Sequence, residues 1–250
     1  IPVKINDLHQ QVVFDTGANF SVITDSLALK AGMEIQDTQF KVTAITGLEI
    51  DSRIAVAKEL IMGSTLLKNV IFLVFPQESL SFPQIDYTID AILGFPVINA
   101  LGRVQLVNQE KFLISISRPK DIPANIAPDF LTPLVEVIEE NQTLTFTFDT
   151  GANTTSLYAP YFDLHSERIL ETPVQDTVHI GGAGGAMSIP VFLYPFSAQI
   201  GNSQFRLDRA PVYERNIKPY PGIHGNLGQD ILSQFDTLPL DFKHMLLELQ

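Results

Sequence analysis

Apolar and polar residues alternate from the first position, with Val3 and Ile5 against Pro2 and Lys4, as in a half-buried strand. A turn at Asn6-Asp7 returns the chain as Gln11-Val12-Val13-Phe14, which runs into Asp15. The pattern recurs as Leu134-Val135-Glu136-Val137-Ile138, a turn at Glu140-Asn141, and Leu144-Thr145-Phe146-Thr147-Phe148 running into Asp149. Arg53 to Ala57 reads as a further strand, and the apolar run Val70 to Phe75 as a buried one. Helical spacing is brief: Ser26 to Lys30, closed by Gly32, and the residues after Gly94 and after Gly228, where Ile231, Leu232 and Phe235 share a face. Many short strands with few short helices predict an all-β, barrel-like unit.

That unit is written twice. Phe-Asp-Thr-Gly-Ala-Asn occurs at Phe14–Asn19 and at Phe148–Asn153, so the aspartates lie 134 positions apart (149 − 15). Ala91-Ile92-Leu93-Gly94 and Gly225-Asn226-Leu227-Gly228 keep that offset, as do Gly47 and Gly181. Between the copies, Pro119, Pro123, Pro128 and Pro133 fix φ and remove donors, so this stretch is extended. The reading is a first half over 1–117, a Pro-rich linker over 118–133, and a second half over 134–250.

Composition narrows the chemistry. The net charge of −12 and the lack of any basic run argue against nucleic acid, whose phosphates require clustered Lys and Arg. Without cysteine there is no thiolate nucleophile, disulfide or Cys-ligated metal. The five histidines (His9, His165, His179, His224 and His244) show no metal-ligand spacing, so no metal or other cofactor is expected. No apolar run reaches membrane-spanning length. A start without Met and the absence of cysteine fit an exported protein, and equally a cytosolic one; export is slightly favoured and the compartment stays open.

An isolated Asp-Thr-Gly is also an ordinary strand-ending turn. A turn needs only turn formers, whereas here the flanking Phe, Thr, Ala and Asn are duplicated and each copy has its own late glycine. Apolar-apolar-Asp-Thr-Gly-Ala, then a glycine-bearing hairpin, then apolar-apolar-Gly, resembles the retropepsin-like aspartic proteases over nearly all of the chain. The resemblance implies two tandem retropepsin-like β-barrel halves related by a pseudo-two-fold axis, fused in one chain and active as a monomer. Each half would supply one catalytic aspartate, Asp15 and Asp149, because half a site has no chemistry. Two adjacent carboxylates share one proton; the ionised one takes a proton from water and the protonated one donates to the scissile carbonyl. The partner implied is a peptide or unfolded protein, bound extended.

Further roles follow from the resemblance. Thr16 and Thr150 match threonines that bond across the axis. Gly17 and Gly151 match glycines whose carbonyls accept from substrate backbone, with Ala18, Ala152, Asn19 and Asn153 beside them. Gly94 and Gly228 match the glycine packed behind each loop. Ile180-Gly181-Gly182-Ala183-Gly184-Gly185 matches a glycine-rich flap tip, and Ile45-Thr46-Gly47 its stiffer, glycine-poor counterpart. The acid and arginine that pair in viral members are replaced by Asn19 and Asn153 with Phe95 and Gln229, leaving at most neutral hydrogen bonds. Ala18 and Ala152 stand where pepsin-like enzymes carry Ser, so that hydroxyl donor to the catalytic carboxylate is missing, which predicts a mildly acidic optimum. Of the three N-x-[ST] sequons, those at Asn19 and Asn153 fall in the proposed site and read as accidental, leaving Asn141 as the acceptor. A catalytically silent peptide-binding protein is the alternative, disfavoured by two intact aspartates and threonines.

Overall fold

The computed structural model describes residues 1–44, 46–83, 86–107, 111–114, 123–171, 173–215 and 221–250. The flap residue Ile45 and linker residues 118–122 lie outside them. Strand accounts for 54% of the chain and helix for 15%, which makes it all-β, with two barrel-like sheets. Two compact units emerge: residues 1–98 with 179–188, and residues 99–178 with 189–250.

The first unit is built on a nine-stranded sheet. Its backbone is a long hairpin, Glu49–Met62 against Thr65–Phe75, turned at Gly63 with φ of 58°. Burial along Glu49–Met62 changes parity: Ala55 and Ala57 are buried on one face, and Leu60 and Met62 on the other, so the long strand is covered on different faces at different points along its length. Val22–Thr24 runs parallel to the second arm and antiparallel to Ala91–Leu93, which lies parallel to Val13–Phe14. The sheet is thus stitched through the chain on either side of Asp15. Thr24 caps the helix Asp25–Lys30 by accepting from the Leu27 amide at 3.3 Å, and the helix buries Leu27 and Ala28. Gly32, at φ of 62°, follows its end.

The second unit repeats this logic on an eight-stranded sheet. Thr132–Glu139 pairs with Gln142–Phe148 through a turn at Glu140-Asn141, both at positive φ. Gln142–Phe148 runs parallel to Gly225–Leu227, which pairs antiparallel with Ser156–Leu157. Ile138 also pairs with Gln199, so the sheet bends back on itself toward closure. Phe146, Phe148 and Phe196 are fully buried, each worth about 1.5–3 kcal/mol of apolar burial. Pro128 sits on the edge strand Ile126–Asp129, where its missing N–H costs no ladder bond.

Two features depart from the sequence pattern. Ala159–Glu171 is a thirteen-residue helix where only short helices were anticipated. Pro160 reads as a breaker but occupies the first turn, where its absent N–H has no helical partner to lose. Its buried residues are Tyr161, Phe162 and Ile169, interleaved with Asp163, His165, Glu167 and Arg168. Phe162 stacks on Phe192 and Tyr161 meets Phe196 edge-on. The second departure is Arg103–Val107, which precedes the Pro-rich stretch yet pairs along its length with Thr237–Asp241 in a four-stranded sheet of the second compact unit.

Candidate active site

Each aspartate leaves the end of a strand held by parallel pairing to a late strand, and the first loop bond is the same in both halves. The Asp15 amide donates to the Leu93 carbonyl and the Asp149 amide to the Leu227 carbonyl, both at 3.0 Å. The loop then curls round its own carboxylate. Asp15 Oδ1 accepts from the Gly17 and Ala18 amides at 2.8 and 3.1 Å; Asp149 Oδ1 accepts from Gly151 and Ala152 at 2.8 and 3.0 Å. Both aspartates are half-buried, and Thr16 and Thr150 beneath them are buried.

The late glycines lock the loops from behind. The Ala18 carbonyl accepts from the Phe95 amide and the Ala152 carbonyl from the Gln229 amide, each at 2.8 Å. A Cβ on Gly94 would lie 2.4 Å from the Phe20 carbonyl oxygen, and one on Gly228 2.6 Å from the Thr154 carbonyl carbon. Only glycine fits there without a shift of backbone. The Gly94 amide donates to Ser21 Oγ at 3.1 Å and the Gly228 amide to Thr155 Oγ1 at 2.9 Å. Sequence reasoning missed this hydroxyl pair, although Ser21 and Thr155 keep the 134-residue offset and both carry the required acceptor.

The second loop carries side-chain bonds with no counterpart in the identity of the first-half residues. Asp230 accepts from the Thr155 amide and hydroxyl, where the first half has Pro96. Gln229 Nε2 donates to the Thr150 carbonyl at 2.7 Å, a neutral bond at the position where the first half has Phe95. Asn226 Nδ2 lies 3.4 Å from Asp149 Oδ2, and Thr147 Oγ1 donates to Asn226 Oδ1 at 2.5 Å. These were not foreseen, because Thr147 and Asn226 meet only through strand pairing across 79 residues. Asn19 and Asn153 are exposed at the loop tips.

The described residues of both expected flap sequences lie at the tips of hairpins. Thr46 and Gly47 lie between Phe40–Thr43 and Glu49–Met62, with Gly47 at φ of 82° and its amide bonded to Ala44. Gly181 and Gly182 end one arm of the other hairpin, Ala183 and Gly184 form its turn, and Gly185 opens the second arm. Gly184 and Gly185 have φ of 83° and 123°, which side chains rarely adopt. This tip clusters with the first compact unit. The Gly184 amide donates to the Ser79 carbonyl at 2.9 Å, and Ala183 packs on the cluster of Ala44, Ile50 and Leu80.

The histidines are spoken for structurally where they are buried. His165 Nε2 lies 3.2 Å from Glu139, which also accepts from the Tyr161 hydroxyl at 2.9 Å. Burial pushes the Glu139 carboxyl up from the usual range, and burial with the adjacent Glu139 raises the Tyr161 phenol. His224 Nδ1 accepts from the Thr145 amide, and burial lowers its imidazole. Among the described residues, no group of three or more His, Asp or Glu is placed to hold a metal, and no helix is long and apolar enough to cross a membrane.

Residues 1–97 match the family model described as aspartyl protease, which supports aspartic protease activity. That match takes in Asp15 and Gly94. No curated protein matches the chain.

Proposed function

We propose that the chain is an aspartic endopeptidase of the retropepsin-like type, with its two halves fused in one chain and Asp15 and Asp149 forming one catalytic dyad. The observation that carries this reading is the loop equivalence. The loop hydrogen bonds recur at the 134-residue offset, including both backbone donors to each Oδ1. The two amides on each Oδ1 are also what an ordinary Asx turn supplies; what a lone turn would not require is the late glycine packed behind each loop, with its amide on a hydroxyl at the same offset. The first-half match to an aspartyl protease model supports it independently.

In this reading the dyad holds one proton. The ionised aspartate takes a proton from a water between the two, the resulting hydroxide attacks the scissile carbonyl carbon, and the protonated aspartate donates to the carbonyl oxygen. The tetrahedral adduct then collapses as the aspartate that took the water proton gives it to the leaving amine and the other aspartate recovers a proton from the adduct hydroxyl, with no covalent enzyme intermediate. The buried threonines hold the loops by bonds across the axis, and the glycine-bearing hairpins cover an extended peptide. Fixed backbone donors orient each carboxylate before substrate arrives, so little reorganisation accompanies proton transfer.

Cleavage of a peptide library by the purified chain tests the reading. Asp15→Asn and Asp149→Asn are each expected to reduce kcat/KM by roughly 100- to 10,000-fold, with unfolding little changed. The double variant should lose little more, because residues acting as one unit are not additive. Activity near wild type in either single variant would overturn the shared dyad.

A further inference from the structure

The two loops are alike in backbone, and the second aspartate has a side-chain contact from a position whose first-half counterpart is apolar. At Asp149, Oδ1 is taken by two amides, and Oδ2 has the Asn226 amide nitrogen 3.4 Å away. The orientation of that amide is set by chemistry. Its oxygen accepts the Thr147 hydroxyl at 2.5 Å; the reverse flip would turn an oxygen toward a carboxylate. The corresponding first-half positions hold Val13 and Ile92, whose side chains have no polar atoms. Asn226 therefore offers Asp149 a donor that no residue at the matching positions offers Asp15. It also stands in for the hydroxyl that Ala152 lacks after Asp-Thr-Gly.

We propose that Thr147 and Asn226 form a positioning relay that orients the Asp149 carboxylate. The inference rests on the proposed protease reading. Asn226 sits at the centre of Gly225–Leu227, in register with Thr147 on one side and Ser156 on the other. Its backbone is consequently fixed by two strands, and its side chain needs only the Thr147 hydroxyl to hold it. With Oδ1 and Oδ2 both engaged, the Asp149 carboxylate plane cannot rotate freely about its side-chain bond. A contact of 3.4 Å is long for a working bond, and catalytic bonds often tighten only when substrate binds. The relay therefore acts on the rate of the bound complex more than on binding. A cross-strand Thr–Asn bond with no catalytic effect is the competing role.

Steady-state kinetics of the full chain on a peptide cleaved by the wild type separate the two. Asn226→Ile, which installs the residue found at position 92, is expected to lower kcat roughly tenfold with KM within about twofold. Thr147→Val should act in the same direction, and adding it to Asn226→Ile should cost no further activity, because the relay is already broken. Unchanged kcat in Asn226→Ile, a loss carried by KM alone, or additive losses in the double variant would each overturn the proposal. If Asn226→Ile fails to fold, Thr147→Val alone decides it: an unchanged kcat overturns the relay, and a kcat loss at constant KM sustains it. Asp149→Asn is assayed alongside. If that variant is inactive while Asn226→Ile is unaffected, only the relay fails; if Asp149→Asn is active, the protease reading itself fails.

Discussion

At the scale of single residues, the identity of each loop position follows from what touches it. Gly94 and Gly228 are glycine because the carbonyl backbone of Phe20 and Thr154 occupies the space a side chain would take. Gly94→Ala or Gly228→Ala should destabilise by about 1–3 kcal/mol or more, since backbone rather than a mobile side-chain end must yield. Denaturant unfolding measures this, and a loss under about 0.5 kcal/mol would mean that the loop relaxes cheaply. Gly32 makes a control, because it has nothing within 4 Å of its would-be Cβ and only its φ of 62° opposes alanine. The aspartates and these glycines were legible in the sequence because the motif is written twice. Ser21, Thr155, Thr147 and Asn226 were not, because a hydroxyl or amide has meaning there only beside the group it bonds.

At the scale of elements, the order of a flap depends both on its glycines and on what its tip touches. Gly181 to Gly185 lose more backbone entropy on ordering than the lone Gly47, which by itself predicts the looser hairpin. The structure supplies opposing contacts: the Gly184 amide on the Ser79 carbonyl, and Ala183 against Ala44, Ile50 and Leu80. The Gly184 amide should therefore exchange more slowly than that of exposed Gly181, as hydrogen exchange can measure. A Gly184→Ala change adds a Cβ 3.3 Å from Ile50 Cδ1 at a φ of 83°, so it should release the tip and abolish that protection. Equal exchange at Gly181 and Gly184 in the wild type would show that the tip contacts are not maintained. The helix Ala159–Glu171 makes the same point from the other side. Its apolar stripe is interrupted by charge along the chain, and packing on Phe192 and Phe196 is what secures it.

At the scale of the whole molecule, pH acts through groups outside the two Asp-Thr-Gly loops. His224 lies two residues before Asn226, and burial lowers its imidazole below the ordinary value of 6.5; its Nδ1 is already engaged by the Thr145 amide. The unfolded chain consequently takes up a proton there before the folded one does. Stability is retained above about pH 6.5 and declines as pH falls from there through the lowered folded value. His224→Asn should flatten that part of the curve of unfolding temperature against pH, and an unchanged curve would show that His224 does not contribute. The sequence by itself determined the strand content and the two copies of Phe-Asp-Thr-Gly-Ala-Asn, because alternation, turn chemistry and a repeated motif are properties of neighbouring residues. The tertiary structure alone decided that Arg103–Val107 pairs with Thr237–Asp241, that Ala159–Glu171 is helical, and that Asn226 stands beside Asp149. Each of these depends on groups far apart in the chain, and it is folding that brings such groups within bonding distance.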